Sequence, residues 1–245
     1  AAPSLAELSL ELGGKNAGVT HDAADLDAAL DASSGAAFAV CGQRCTAISR
    51  IVVQRALHER VADGLVARAR RLQLGDGLVA GTTTGPLIHG AHRDKVAGMV
   101  QRARRDGAEL LTGGGFAQPE SAPEGFFYEP AVLAGVRPEM EIARDEIFGP
   151  VLTLQPYDDF DEALAIVNGV EHGLTAALFS DSHTLVQRFL SECETGMLHI
   201  NHGTVPDNHM PFGGIKHSGV GAYSSVGHSS IQFYTTEHSA YLKYL

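Results

Sequence analysis

The 245-residue chain has no tryptophan, only three cysteines, and fewer basic than acidic residues, 18 against 29. Most of these shortages exclude something. Three cysteines cannot build the disulfide framework of a small secreted domain, which points to a reducing compartment. A formal net charge of −11 disfavours nucleic acid or an anionic membrane as the main partner, since both need a basic face. No apolar run approaches the roughly 20 residues of a membrane span. No basic segment followed by an apolar one opens the chain, so no secretory signal is visible. Internal repeats, low-complexity tracts and blocks of like charge are also missing. So is an initiator Met: "AAPSLAELSLELGGKN" runs at once into apolar alternation at Leu8, Leu10 and Leu12. It reads as the last strand of something already under way, and the chain is expected to be a fragment.

What is present suits a globular protein with a sizeable core, 44% hydrophobic and 19% charged. From Asp22, Leu26, Leu30, Ser33, Ala37 and Val40 fall on one helical face. "RIVV" at 50–53 is a short β-branched strand. Leu57, Val61, Leu65, Ala69 and Leu72 line a second helix, and a third is expected over 89–106. "AELLTGGG" and "FFYEPAVL" read as strands, the second interrupted by Pro130 and therefore an edge or a strand end. "PVLTLQPY", "LTAALFS" and "GMLHIN" read as strands separated by the helices "DDFDEALAIVN" and "SHTLVQRFLSE". Such repeated alternation implies a parallel α/β sheet with covered faces. The final "IQFYTTEHSAYLKY" is β-prone but has no obvious partner strand.

Cys41 and Cys45 stand four apart in "FAVCGQRCTAISR". A zinc site would need two more ligands at matching spacing. Cys193 has no partner nearby in sequence, and His199, His202, His209 and His217 follow no ligand pattern, so no metal is expected. Cys41, between Val40 and Gly42, fits a buried thiol. Cys45 follows Gly-Gln-Arg in a polar loop just beyond a helix, where reactive groups sit on an α/β scaffold. A nucleophilic thiol needs a base or a lowered pKa. Glu11, between two leucines and ahead of Gly-Gly, is a candidate base; an edge-strand glutamate with its head in water is the competing reading.

Four stretches, "LELGGKN" (10–16), "GQRCTA" (42–47), "DEIFGPV" (145–151) and "MPFGGIKHSG" (210–219), together resemble the aldehyde dehydrogenase superfamily in order and spacing. "GPLI", "FFYEPAVL", "HGLTAALFS" and "GMLHIN" agree, so the resemblance covers essentially the whole chain. It implies an α/β fold: a parallel-sheet catalytic domain with helices on both faces, plus a C-terminal β arm. Residues 1–13 would end the cofactor-binding domain, 14–222 form the catalytic domain, and 223–245 form an oligomerisation strand. Roughly half the usual family chain would precede residue 1.

The resemblance makes Cys45 the nucleophile that forms a thiohemiacetal and then a thioester, and Glu11 the general base for thioester hydrolysis. Glu146 and Phe148 would hold and flank the nicotinamide ribose and ring. Leu12 and Gly13 would approach the nicotinamide through their backbone. Asn201 would support the catalytic loop, and Phe212 would pack near the substrate tunnel. His92 is placed near the cofactor, Lys15 in a salt bridge or cap, and Cys41 in a structural role. The implied cofactor is NAD or NADP. The implied substrate is a small-molecule aldehyde, shaped in part by the loop near Val205–His209. The full-length parent would be a cytoplasmic homodimer or homotetramer, with no nucleic acid and no membrane partner. Three alternatives stand beside this: a coenzyme A-acylating dehydrogenase, against which Glu11 argues; a non-redox cysteine hydrolase, which wants a positioned His; and a binding or structural protein built on the same fold.

Overall fold

A computed structural model describes residue 4 and residues 6–23, 25–221 and 225–244; the expected arm boundary at 222/223 lies outside the described residues. Seven strands form the central sheet. In spatial order they are Met197–Ile200, Thr175–Phe179, Asn16–Thr20, Ile48–Gln54, Val151–Tyr157, Ala131–Ala134 and Glu109–Thr112. The first six run parallel to their neighbours, and Glu109–Thr112 closes the edge antiparallel to Ala131–Ala134. The sheet is therefore mixed, where strand–helix alternation alone implied a parallel one.

Helices cover both faces. α1 (Leu26–Phe38) and α2 (His58–Arg71) lie on one, packing Leu30, Phe38, Val61 and Leu65 against Ile51 and Val53. α5 (Phe160–Asn168) and α6 (His183–Glu192) lie on the other, packing Phe160, Ala163 and Phe189 against Val19 and Val52. The alternation of Ile51, Val52 and Val53 between the two clusters is the period-2 signature of a strand buried on both sides. α3 (Gly90–Arg105) and the single turn α4 (Glu141–Arg144) enclose a third cluster with Leu133 and Val151. Local chemistry sets the helix starts. The Asp25 and Asp159 carboxylates accept from the Ala28 and Glu162 amides at 2.9 Å, leaving fewer orphan donors in each first turn.

Two sequence expectations change. Val40 leaves the α1 face and is 64% exposed, because the helix ends at Phe38 and Val40, Cys41 and Gly42 turn left-handed (φ +53°, +56° and +67°). The strand Asn16–Thr20, at the middle of the sheet and wholly buried, carries no β-branched alternation and was not expected. Pro130 stands at a strand end, one of the two places expected for it, between Phe127–Tyr128 and Ala131–Ala134, and the latter lies inside the sheet. At the C-terminal end, His228–Phe233 forms a helix, α7, and residues 235–244 form neither helix nor strand. A lone strand leaves its backbone groups unpaired, so the β-propensity of this stretch finds no expression within the chain.

Candidate active site

The loop carrying Cys45 leaves α1 through the left-handed turn at Val40–Gly42 and enters the strand Ile48–Gln54. A Cβ at Gly42 would collide with the Gly149 carbonyl, so only glycine fits where this turn meets the Gly149–Pro150 backbone. Beyond Cys45, three successive carbonyls are tied down. The Asn16 carboxamide donates to the Cys45 and Ala47 carbonyls at 2.7 and 2.9 Å, and the Thr204 hydroxyl donates to the Thr46 carbonyl at 2.6 Å. The Asn16 side-chain oxygen in turn accepts from the Thr175 amide at 3.2 Å, linking the loop to the neighbouring strand. Every polar atom of this buried asparagine side chain is thus engaged, as burial demands.

Glu146 folds over the Gly13–Gly14 backbone. Its Oε1 accepts from the Gly14 amide at 2.9 Å, and a Cβ at Gly13 would collide with the same carboxylate. A Cβ at Gly14 would lie 2.5 Å from the Cys45 carbonyl. The two glycines therefore let a carboxylate and a thiol-bearing loop close on one stretch of backbone. Cys45 itself is half-buried. Burial raises its thiol pKa above the ordinary value. The Glu146 charge adds to this, Glu11 adds less, and the Thr46 and Cys45 amides oppose it. Cys41 is fully buried and its thiol is pushed up to about 12, which suits an inert core position.

Glu11 lies on a two-residue strand, Leu10–Glu11, paired antiparallel with Gly219–Val220. It is exposed, where a buried base was envisaged, yet partial desolvation still raises its carboxyl pKa; a hydrogen bond with Ser225 opposes the shift. Leu12 is 44% exposed and donates its amide to the Ser218 carbonyl at 3.1 Å. The Phe212 carbonyl accepts from the Ser225 amide at 3.0 Å, so Phe212 reaches Glu11 through Ser225. Asn201, at φ +50°, exchanges hydrogen bonds with the Ser180 backbone at 2.9 and 3.0 Å. The contact with the cysteine loop comes instead from Thr204, three residues on. Phe148 stands at φ +56° with its ring 37% exposed, and its carbonyl accepts from His92 Nε2 at 2.7 Å.

Lys15, expected in a salt bridge or cap, is 2% exposed, and its amine has no hydrogen-bond partner among the described residues. Burial, then the nearby Arg50 charge, lowers its pKa to about 7 against the pull of Asp145 and Glu146. Arg50, also buried, donates to the Lys15, Ile166 and Val167 carbonyls at 2.8–3.2 Å, satisfying orphan carbonyls at the end of α5. Asn16 and Gly14 belong to a motif visible in the sequence, but nothing local marked Thr204, Arg50 or Ser225.

The sequence model of the aldehyde dehydrogenase family matches residues 1–239. The alpha-ketoglutarate semialdehyde dehydrogenase of Haloferax volcanii is 37% identical over 235 residues, covering 96% of this chain and 48% of its own. The betaine aldehyde dehydrogenase of Bacillus subtilis is 35% identical over 241 residues, covering 98% and 49%. Among solved structures, the Staphylococcus aureus betaine aldehyde dehydrogenase in complex with NAD+ superposes with a TM-score of 0.89 at 31% identity, covering 95% of this chain and 46% of its own. The 3,6-anhydro-L-galactose dehydrogenase does so with 0.91 at 29%, covering 95% and 48%. The chain thus spans about half the length of these relatives. Matched along nearly its whole length in sequence and in fold, the chain belongs to the aldehyde dehydrogenase family.

Proposed function

We propose that these residues carry the thiol, the base and the nicotinamide end of an NAD- or NADP-dependent oxidation of an aldehyde to a carboxylic acid. The observation that carries this is the closure of Glu146 and the Cys45 loop on Gly13–Gly14, with Glu11 within electrostatic reach of the thiol. These groups come from three separate motifs. A cofactor fits here on this chain's own features. The Glu146 carboxylate, packed on Gly13, is an acceptor of the kind a ribose hydroxyl would need, and the exposed Phe148 would offer a flat apolar face. Glu146, Phe148, Leu12 and Gly13 are the residues that would hold it. NAD or NADP, when bound, supplies the hydride acceptor.

The Cys45 thiol gives its proton to solvent and its sulfur adds to the aldehyde carbon. The Cys45 amide can donate to the resulting oxyanion. Loss of hydride from that carbon leaves a thioester on Cys45. Glu11, with a raised pKa suited to a base near neutrality, takes a proton from water. The water oxygen attacks the thioester carbon, the C–S bond breaks, and the acid leaves with the thiol restored. Phe212 would support the site through Ser225, and Asn201 through the segment that leads to Thr204. The exposed Tyr241, Leu242 and Tyr244 support the reading of 223–245 as a self-association arm, giving a homodimer or homotetramer in the cytoplasm.

The test is pre-steady-state kinetics of Glu11→Gln in a chain of the relatives' full length. Reduced cofactor should appear as a burst followed by a slow steady state, with the acyl group trapped on Cys45. Loss of the burst together with the steady rate would remove Glu11 from hydrolysis. Acceleration by coenzyme A in place of water would replace this reading with the acylating one.

A further inference from the structure

Phe148 has a backbone conformation that a residue with a large side chain avoids: φ +56° costs free energy and persists only where neighbours over-determine it. Burial does not impose it, because Phe148 is 37% exposed. The first turn of α3 meets its carbonyl. His92 Nε2 lies 2.7 Å from the Phe148 carbonyl oxygen. A carbonyl oxygen only accepts, so Nε2 carries the proton and the ring is held in that tautomer. The two rings also meet edge to face, with centroids 6.3 Å apart and planes at 61°.

His92 is itself held in place. Its amide donates to His89 Nδ1 at 3.0 Å, at the cap of α3. The segment leading into α3 is fastened to the cysteine loop by Gln43, whose carboxamide accepts from the Ile88 amide at 3.0 Å and donates to the Pro86 carbonyl at 3.3 Å. On the far side of Phe148, Gly149 packs against Val96 of α3 and against Gly42. One helix end therefore touches both the loop that carries Cys45 and the segment that carries Glu146 and Phe148.

We propose that His92 is a positioning residue, which locks the Phe148 backbone left-handed so that its ring stands beside Glu146 as a fixed wall for the nicotinamide. This rests on the cofactor-dependent reading above. The His92 Nε2–H is committed to the Phe148 carbonyl. Its effect belongs to cofactor binding and hydride transfer, and the chemistry of the thiol and base is separable from it. A thiol and a base need no cofactor to cleave p-nitrophenyl acetate, which supplies an internal reference.

In a chain of the relatives' full length, His92→Ala should raise the cofactor KM about tenfold. The ratio of cofactor-dependent oxidation to p-nitrophenyl acetate hydrolysis should fall by about the same factor. His92→Gln keeps an amide donor near the Nε2 position and should recover both to within about threefold. A crystal structure of His92→Ala should show Phe148 at negative φ. The proposal is overturned if His92→Ala leaves both kinetic quantities unchanged, if Phe148 keeps positive φ in that crystal, or if His92→Gln is as impaired as His92→Ala. If the unmutated enzyme oxidises no aldehyde with either cofactor, the functional reading fails on its own. The Phe148 backbone in the His92→Ala crystal still decides, without reference to activity, whether His92 holds it.

Discussion

Cys45 and Glu11 face the same site from segments that are held to very different degrees. The cysteine loop is tied at three successive carbonyls by buried Asn16 and Thr204, between strands at the middle of the sheet. Glu11 is exposed, on a two-residue strand whose neighbours are Gly219–Val220 and Ser225. The geometry of the Cys45 loop is therefore a property of the α/β core, and that of Glu11 is a property of its periphery. A group whose partners are buried loses much when one is removed, while a group whose partners are wet loses little.

The comparison can be broken most severely at its rigid end. In a chain of the relatives' full length, Cys45→Ser should lower aldehyde oxidation by roughly 10³-fold or more, because a hydroxyl of high pKa replaces the thiol. Cys41→Ser, at a buried position four residues away, should keep most of the activity. Equal loss in steady-state assays of the two variants would overturn the assignment of Cys45 as the nucleophile.

Asn16→Ala should cost roughly 2–4 kcal/mol of stability, since it leaves the Cys45 and Ala47 carbonyls and the Thr175 amide without a partner. Urea denaturation of the variant beside Ser225→Ala tests the contrast directly, and comparable losses in the two would erase it.

Lys15 probes the same core by charge. Its pKa falls from 10.5 in the ordinary state to about 7 when folded. Between those values the unfolded chain binds more protons than the folded one, so the stability contributed by this site rises with pH across that window. Lys15→Met should stabilise the fold by roughly 1–4 kcal/mol below pH 7, with the gain fading as pH approaches 10.5. A gain that does not change with pH would show that the amine is not a buried titrating group.

The smallest effect belongs to the periphery. The Ser225 hydrogen bond lowers the Glu11 pKa against the larger effect of desolvation. Ser225→Ala should leave stability nearly unchanged and raise that pKa further. The acidic limb of the deacylation rate profile should then move to higher pH. Movement to lower pH would mean that Ser225 opposes the ionised carboxylate.

Much of this was legible locally. Helices declared themselves by apolar spacing, and β-rich runs such as "RIVV" and "LTAALFS" became sheet strands. Asn16–Thr20 was not legible, because "NAGVT" has too little β-branched character to declare itself and is a strand only by virtue of its two neighbours. The C-terminal stretch failed in the opposite sense: its β-propensity is plain, but among the described residues it pairs with no strand. Gly13 and Gly14 were legible as permissive backbone, yet not the carboxylate of Glu146 that closes over them.

By itself the sequence determined the element pattern, the family motifs and the residue types available for chemistry, because periodicity, capping and motif spacing act over a few residues. Only the tertiary structure decided which groups meet: Asn16 and Thr204 at the cysteine loop, Arg50 on the end of α5, the unpaired amine of Lys15, and the left-handed Phe148 under His92. Those outcomes depend on burial and on hydrogen-bond partners supplied by segments distant along the chain, and no local pattern encodes them.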